Sequence, residues 1–261
     1  MLRLLLISLT LAQTTLAAPA VLLAEGFDTI GRKSLAAKLL KKSQVSLAKS
    51  AGPDGSDAIR VAYIPYARGS ERITTNFPLS RKVTAATLSF DVCFENGFDF
   101  AKGGKLHGLG PVKPVTGGQP RKPNQWSARL MFRKGGAAST YIYDQHPTAT
   151  YGIGERSPAP VFRPGRWHHV DLQVSLNHGA KANGLVHLFI DGKKVASSQN
   201  LRIRGLENDA TLIHCFMFCT FHGGHTEAWS PRDTDGQPAT VHALFDNIVV
   251  REGLTLAPHI P

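Results

Sequence analysis

The chain has 261 residues and a formal net charge of +11, from 30 Lys and Arg against 19 Asp and Glu. Its 25 glycines and 16 prolines favour many turns over long helices, and 42% hydrophobic residues are enough for a sizeable core. Three cysteines with no Cys-x-x-Cys pair argue against a zinc–thiolate site.

Residues 1–18 read as a secretory signal. Arg3 supplies the positive start, "LLLISLTLAQTTLA" the apolar core, and small residues permit cleavage after Ala17 or Ala18. Ser8, Thr10 and Gln13 interrupt the apolar run, so a retained membrane helix is the poorer reading. Residues 19–261 are then expected to form one exported domain, extracellular or periplasmic, without stable membrane insertion.

Residues 32–44 fit either a short basic amphipathic helix or a strand with a polar edge. From Ala58 onward the pattern is strand, turn, strand: 58–66, 71–79, 85–95, 126–133, 139–144, 166–177, 184–196, 210–221 and 240–253. Leu88, Phe90, Val92 and Phe94 alternate with Ser89, Asp91 and Cys93. In "IDGKKV" an Asp-Gly pair sits between two β-prone runs, a hairpin signal. The expected fold is all-β: a jelly-roll β-sandwich of the concanavalin or lectin-like kind. Two stretches, 97–125 and 222–239, read as long irregular loops, where binding groups usually sit.

Cys215 and Cys219 lie four residues apart on one strand, roughly 13 Å and too far to bridge. Cys93 could pair with either, though buried free thiols suit such apolar neighbours better. The excess of positive charge fits an anionic partner or, on charge alone equally well, a basic surface that keeps the protein soluble. An exported chain meets acidic polysaccharide more readily than nucleic acid.

Candidate chemistry gathers on two strands. In "WSARLMF", Trp126, Ala128 and Leu130 share one face, and Ser127, Arg129 and Met131 the other. In "STYIYD", Tyr141 and Tyr143 point together, with phenols roughly 7 Å apart, and Ile142 points away. "KGGAA" joins the strands, so they are expected to pair. Lys105, in the glycine-flanked "GGKLHG" loop, could cover the patch. His225 and Trp229 could line a sugar subsite. "HGGH", with His222 and His225, fits no common metal-ligand spacing.

This group suits β-elimination on a uronic-acid polymer. Cations neutralise the C6 carboxylate, a base takes the C5 proton, and an acid protonates the oxygen leaving C4. A tyrosine beside those cations should have its pKa lowered. A hydrolase would need two carboxylates at a set separation, and the face offers no such pair. No metal or cofactor is required.

Taken together, "GFDFAKGGKLHGL", "WSARLMF", "TYIYD", "GRWHHV", "FHGGHTEAWSPRDT" and "FDNIVV" resemble polysaccharide lyase family 14, the alginate and glucuronan lyases. The likeness runs from about Ala58 to Arg251. It implies that Lys105 and Arg129 bind the uronate carboxylate. It implies that Tyr141 and Tyr143 transfer protons, with Tyr143 the first choice as base. Ser127 would hold substrate or orient Arg129. His107 stands where the family pattern leads one to expect a proline; it is assigned with Ser127, His225 and Trp229 to substrate binding. The expected protein is a monomeric secreted lyase. The alternatives are a non-catalytic lectin-like domain that binds acidic glycans, and an acidic-glycan hydrolase.

Overall fold

Strict apolar alternation along the long strands gives each of them one face to bury, and two such faces close on each other. The structure, a computed structural model, describes residues 18–146 and 148–256. The expected leader, apart from Ala18, lies outside the described residues. In chain order the strands are β1 (Val21–Glu25), β2 (Val45–Ala48), β3 (Ala58–Tyr63), β4 (Pro65–Tyr66), β5 (Gly69–Ser70), β6 (Ile73–Val83), β7 (Ala85–Phe94), β8 (Gly103–Gly110), β9 (Ser127–Arg133), β10 (Ala138–Tyr143), β11 (Trp167–Ser175), β12 (Gly184–Ile190), β13 (Lys193–Leu201), β14 (Ile213–His222) and β15 (Val241–Glu252).

One sheet runs β13-β12-β11-β7-β15-β3-β2, with β1 also paired to β15; the other runs β10-β9-β8-β14-β6. Every pairing is antiparallel, and the two layers form the jelly-roll sandwich expected from sequence. Between them lies an aromatic core. Phe90 of β7 and Phe245 of β15 reach from the larger sheet toward Phe216 and Phe218 of β14, all wholly buried. Trp126, Ala128 and Leu130 point into this core as their alternation requires. Asp191 and Gly192, at φ 50° and 74°, make the tight turn from β12 to β13.

Several local readings change. Residues 32–44 hold a single short helix, α1 (Leu35–Leu39), capped by the Ser34 hydroxyl, which accepts a hydrogen bond from the Ala37 amide. It packs Leu35, Ala36 and Leu39 into the core. The stretch 97–125 is not all loop, because β8 runs through it. Glycine flanks made Lys105 look mobile, yet a side chain at Gly104 would strike the Phe132 ring and the Phe221 carbonyl. The glycines there are needed for close strand contact. Among the described residues no helix is long and apolar enough to cross a membrane.

All three cysteines are free and buried. An Ellman titration without reductant should therefore find no fast-reacting thiol in the native protein and three after unfolding. Fewer than three on unfolding would mean that Cys93 pairs after all.

Candidate active site

The outer face of the smaller sheet carries the chemistry. β9 and β10 are joined by a 3-10 turn at Lys134–Gly136 and pair so that Tyr141 lies opposite Arg129 and Tyr143 opposite Ser127. On the other flank of β9, β8 sets Gly108 opposite Arg129 and Lys105 opposite Met131. The lysine thus comes from a strand inside the sheet, not from a covering loop.

Arg129 is only 3% exposed. Its guanidinium carbon lies 5.2 Å from the Tyr141 ring centre and 5.9 Å from that of Tyr143. The two rings stand edge to face, 5.7 Å apart at 84°. Nη1 of Arg129 donates to the Cys219 sulfur at 3.5 Å, and Nε has no hydrogen-bond partner. The side chain crosses Gly108 so closely that an added Cβ would lie 2.5 Å from the Arg129 Cγ. Lys105 Nζ donates to the Gly223 carbonyl at 3.2 Å and sits 5.2 Å from the Tyr141 ring centre. It also faces Trp229 at 5.7 Å. The Tyr143 oxygen accepts a hydrogen bond from the Gly118 amide at 2.9 Å, and Arg121 stacks over its ring at 5.1 Å.

These groups open on one cleft of about 560 Å³. Arg68, Arg72, Lys105, Arg129 and Arg133 all line it, and no carboxylate does. Among the described residues none of these five cations forms a salt bridge. Arg68 and Arg72 are exposed, while Lys105, Arg129 and Arg133 are partly or wholly enclosed; charge enclosed without a counter-ion is costly and attracts an anion. His225 and Trp229 line the same cleft. A second hollow of about 280 Å³ shares Thr74, Thr116 and Arg129 with it, so the groove continues toward β6.

Burial lowers the Lys105 amine to about 8, and the neighbouring Arg129 charge adds to the effect. Tyr141 moves the other way from the sequence expectation. Burial pushes its phenol above the usual value, the adjoining Tyr143 phenol reinforces that, and Arg129 opposes it too weakly to win. Nearby cations alone were a poor guide, because the same enclosure that strengthens them also penalises a phenolate.

Two of the residues assigned to substrate binding do not reach the cleft. His107 is wholly buried on the inner face, with its ring 4.2 Å from Phe218 and 4.8 Å from Phe245. The register of β8 shifts between Lys105 and Gly108, which turns His107 inward. Ser127 is wholly buried too, and its hydroxyl donates to the Val115 carbonyl at 2.7 Å. It ties the segment carrying Thr116 and Gly117 to β9. His222 of "HGGH" is likewise internal, bonded to the Asp99 carbonyl. Sequence reasoning missed Arg68, Arg72, Arg133 and Tyr151, all cleft residues. Arg133 was in reach: it continues the 127, 129, 131 alternation on the same strand. Arg72 was in reach too, since it shares the alternation of Thr74 in the expected strand 71–79; Arg68 and Tyr151 sit on irregular segments with no periodicity to follow.

An open sheet face lined with unpaired cations around two phenols defines a jelly-roll protein shaped to take an acidic chain. Residues 61–248 match the family polysaccharide lyase 14, and the chain belongs to it; the protein is a polysaccharide lyase. Solved structures share the fold. The alginate lyase Aly36B is 24% identical, with a TM-score of 0.69 over 92% of this chain and 100% of its own. The marine PL-14 alginate lyase from Aplysia kurodai is 22% identical, with a TM-score of 0.66 over 90% of this chain and 100% of its own. An endo-beta-1,4-glucuronan lyase from the fungus Trichoderma reesei is 14% identical, with a TM-score of 0.54 over 82% and 89%. No curated protein gives a significant match.

A cation enclosed without a counter-ion weakens the fold that holds it. Lys105 keeps its proton in the unfolded chain up to the ordinary lysine value but in the folded chain only to about 8. Its charge therefore costs stability at neutral pH, and that cost fades as pH climbs between the two values. Lys105→Met should stabilise the protein at pH 7 by about 1–2 kcal/mol, seen as a Tm rise of ~2–6 °C. The gain should shrink above pH 8. A variant less stable than the parent at pH 7 would show that the lysine is a favourable part of the fold.

Proposed function

We propose that this lyase cuts a uronic-acid polymer of the alginate or glucuronan type by β-elimination without a metal, acting outside the cytoplasm in medium or periplasm. The observation that carries the substrate class is the cleft itself: five unpaired cations and no carboxylate around the tyrosine pair. A polymer with one carboxylate per sugar is the complementary partner. In keeping with it, Aly36B, a solved alginate lyase of this fold, has been captured with alginate tetrasaccharide. The leader-like pattern of residues 1–18 supports export.

In the proposed reaction Lys105 and Arg129 hold the C6 carboxylate and draw charge from the sugar, which acidifies the C5–H bond. Tyr143 removes that proton. The Gly118 amide donates to its oxygen, and the guanidinium groups of Arg121 and Arg129 lie beside its ring. The electron pair left on C5 forms the C4–C5 double bond as the C4–O bond breaks. Tyr141, held protonated by its burial, gives its proton to the departing oxygen. His225 and Trp229 would cradle neighbouring sugars.

One observation favours a second reading. An amine lowered to about 8 is also a serviceable base, so Lys105 could take the C5 proton itself. The pH profile separates the two. If Lys105 neutralises the carboxylate, kcat/KM falls as pH rises through about 8; if it is the base, kcat/KM climbs through the same range.

A panel of uronic-acid polymers followed by the ultraviolet absorbance of the new double bond tests the reaction class. Absorbance should rise on at least one uronan. Tyr143→Phe should lower kcat about a thousandfold while binding holds within a few fold. Full turnover by that variant would remove Tyr143 from the role of base.

A further inference from the structure

β8 is interrupted in the middle of the cleft. Its pairing with β9 shifts between Lys105 and Gly108, and its pairing with β14 breaks over the same stretch, opposite Met217 and Phe221. Cys219 lies inside that gap, with Thr74 as its strand partner on the far side only. The His107 side chain occupies the place of the missing ladder. Its Nδ1 lies 3.3 Å from the Cys219 amide nitrogen and 3.2 Å from the Cys219 carbonyl oxygen, so it accepts from the one or donates to the other according to its tautomer.

The imidazole is an odd choice for its surroundings. It is wholly buried among Phe218, Phe90 and Phe245, with ring centres at 4.2, 4.7 and 4.8 Å. Its Nε2 has no hydrogen-bond partner. A leucine or phenylalanine would fill such a place without an orphaned polar atom, so the polar ring calls for a reason. Burial lowers its pKa to about 3, which keeps it neutral. What it holds is connected to the site: the Cys219 sulfur receives the hydrogen bond from Arg129 Nη1. Lys105 opens the interrupted stretch, and Gly108, which Arg129 crosses, closes it.

We propose that His107 is a positioning residue. From the inner face of the sheet it grips the Cys219 backbone across the break in β8, and so fixes Lys105 and Arg129 relative to one another on the outer face. It touches no substrate. Loss of the grip lets the two cations drift from the geometry that neutralises the carboxylate, an error felt more in the transition state than in binding.

The inference rests on the lyase reading, and wild-type absorbance on the uronan panel tests that reading first. If no uronan yields an unsaturated product, the reading fails and the inference falls with it. Given an active wild type, kcat and KM are measured for His107→Leu and His107→Asn at a temperature where both are folded by circular dichroism. Leucine keeps the bulk and loses the hydrogen-bonding nitrogen; asparagine sets a polar group near the Nδ1 position. The expected result is a kcat lowered about ten- to a hundredfold by leucine with KM within about threefold, and most of kcat restored by asparagine. Should the leucine variant not fold, His107→Met, flexible and of similar bulk, takes its place. Wild-type kcat with the apolar residue, or equal losses in both variants, would overturn the proposal and leave His107 a packing residue.

Discussion

A guanidinium enclosed between two tyrosine rings, with no carboxylate beside it, is the constraint around which this molecule is arranged. Arg129 gives up most of its water and gains no ion pair in return. Two enclosed arginines elsewhere are answered by carboxylates, Arg204 by Glu207 and Arg60 by Glu95. At the site the charge is left in deficit. That deficit is a stored affinity for an anion, and it persists only because the rest of the fold is stable enough to carry it.

The sandwich makes this possible by dividing its work between faces. The inner faces are aromatic and closely packed, and they supply the stability. The outer face of the smaller sheet is then free to hold charge. Lys105 and Arg129 lie on adjacent strands, β8 and β9, and Tyr141 and Tyr143 on the next, so their spacing comes from the ladder and not from mobile segments. Loops close the arrangement from above. Gly118 meets the Tyr143 oxygen, Ser127 anchors Val115, and the Gly223 carbonyl steadies Lys105. Rigid strands below and fixed backbone dipoles above are what electrostatic catalysis on a charged sugar needs.

Much of this was legible in the residue order. The period of two placed Arg129 apart from Leu130 and Tyr141 with Tyr143, because one face of β9 is wholly apolar and Ile142 of β10 follows it inward. Register errors would have put Trp126 in water. What failed did so where the period breaks. Alternation counted from Lys105 puts His107 on the same side, and only the shift before Gly108 turns it inward. Glycines at 103 and 104 looked like a loop because sequence cannot separate glycine that frees a chain from glycine that lets two strands touch. Ser127 faces the right way but is claimed by a carbonyl from a distant, aperiodic segment. The Tyr141 phenol depends on a balance of burial against nearby charge that no string of letters contains.

The central claim is that Lys105 and Arg129 make the sugar reactive by cancelling its carboxylate charge. Methyl esterification of the polymer cancels that charge chemically and so should replace the arginine. The decisive measurement is kcat/KM for wild type and Arg129→Gln on a uronan and on its methyl ester. The account predicts a loss of about a thousandfold on the free acid and less than about tenfold on the ester. Equal losses on both polymers would contradict it, and would mean that Arg129 serves the site by shape and not by charge.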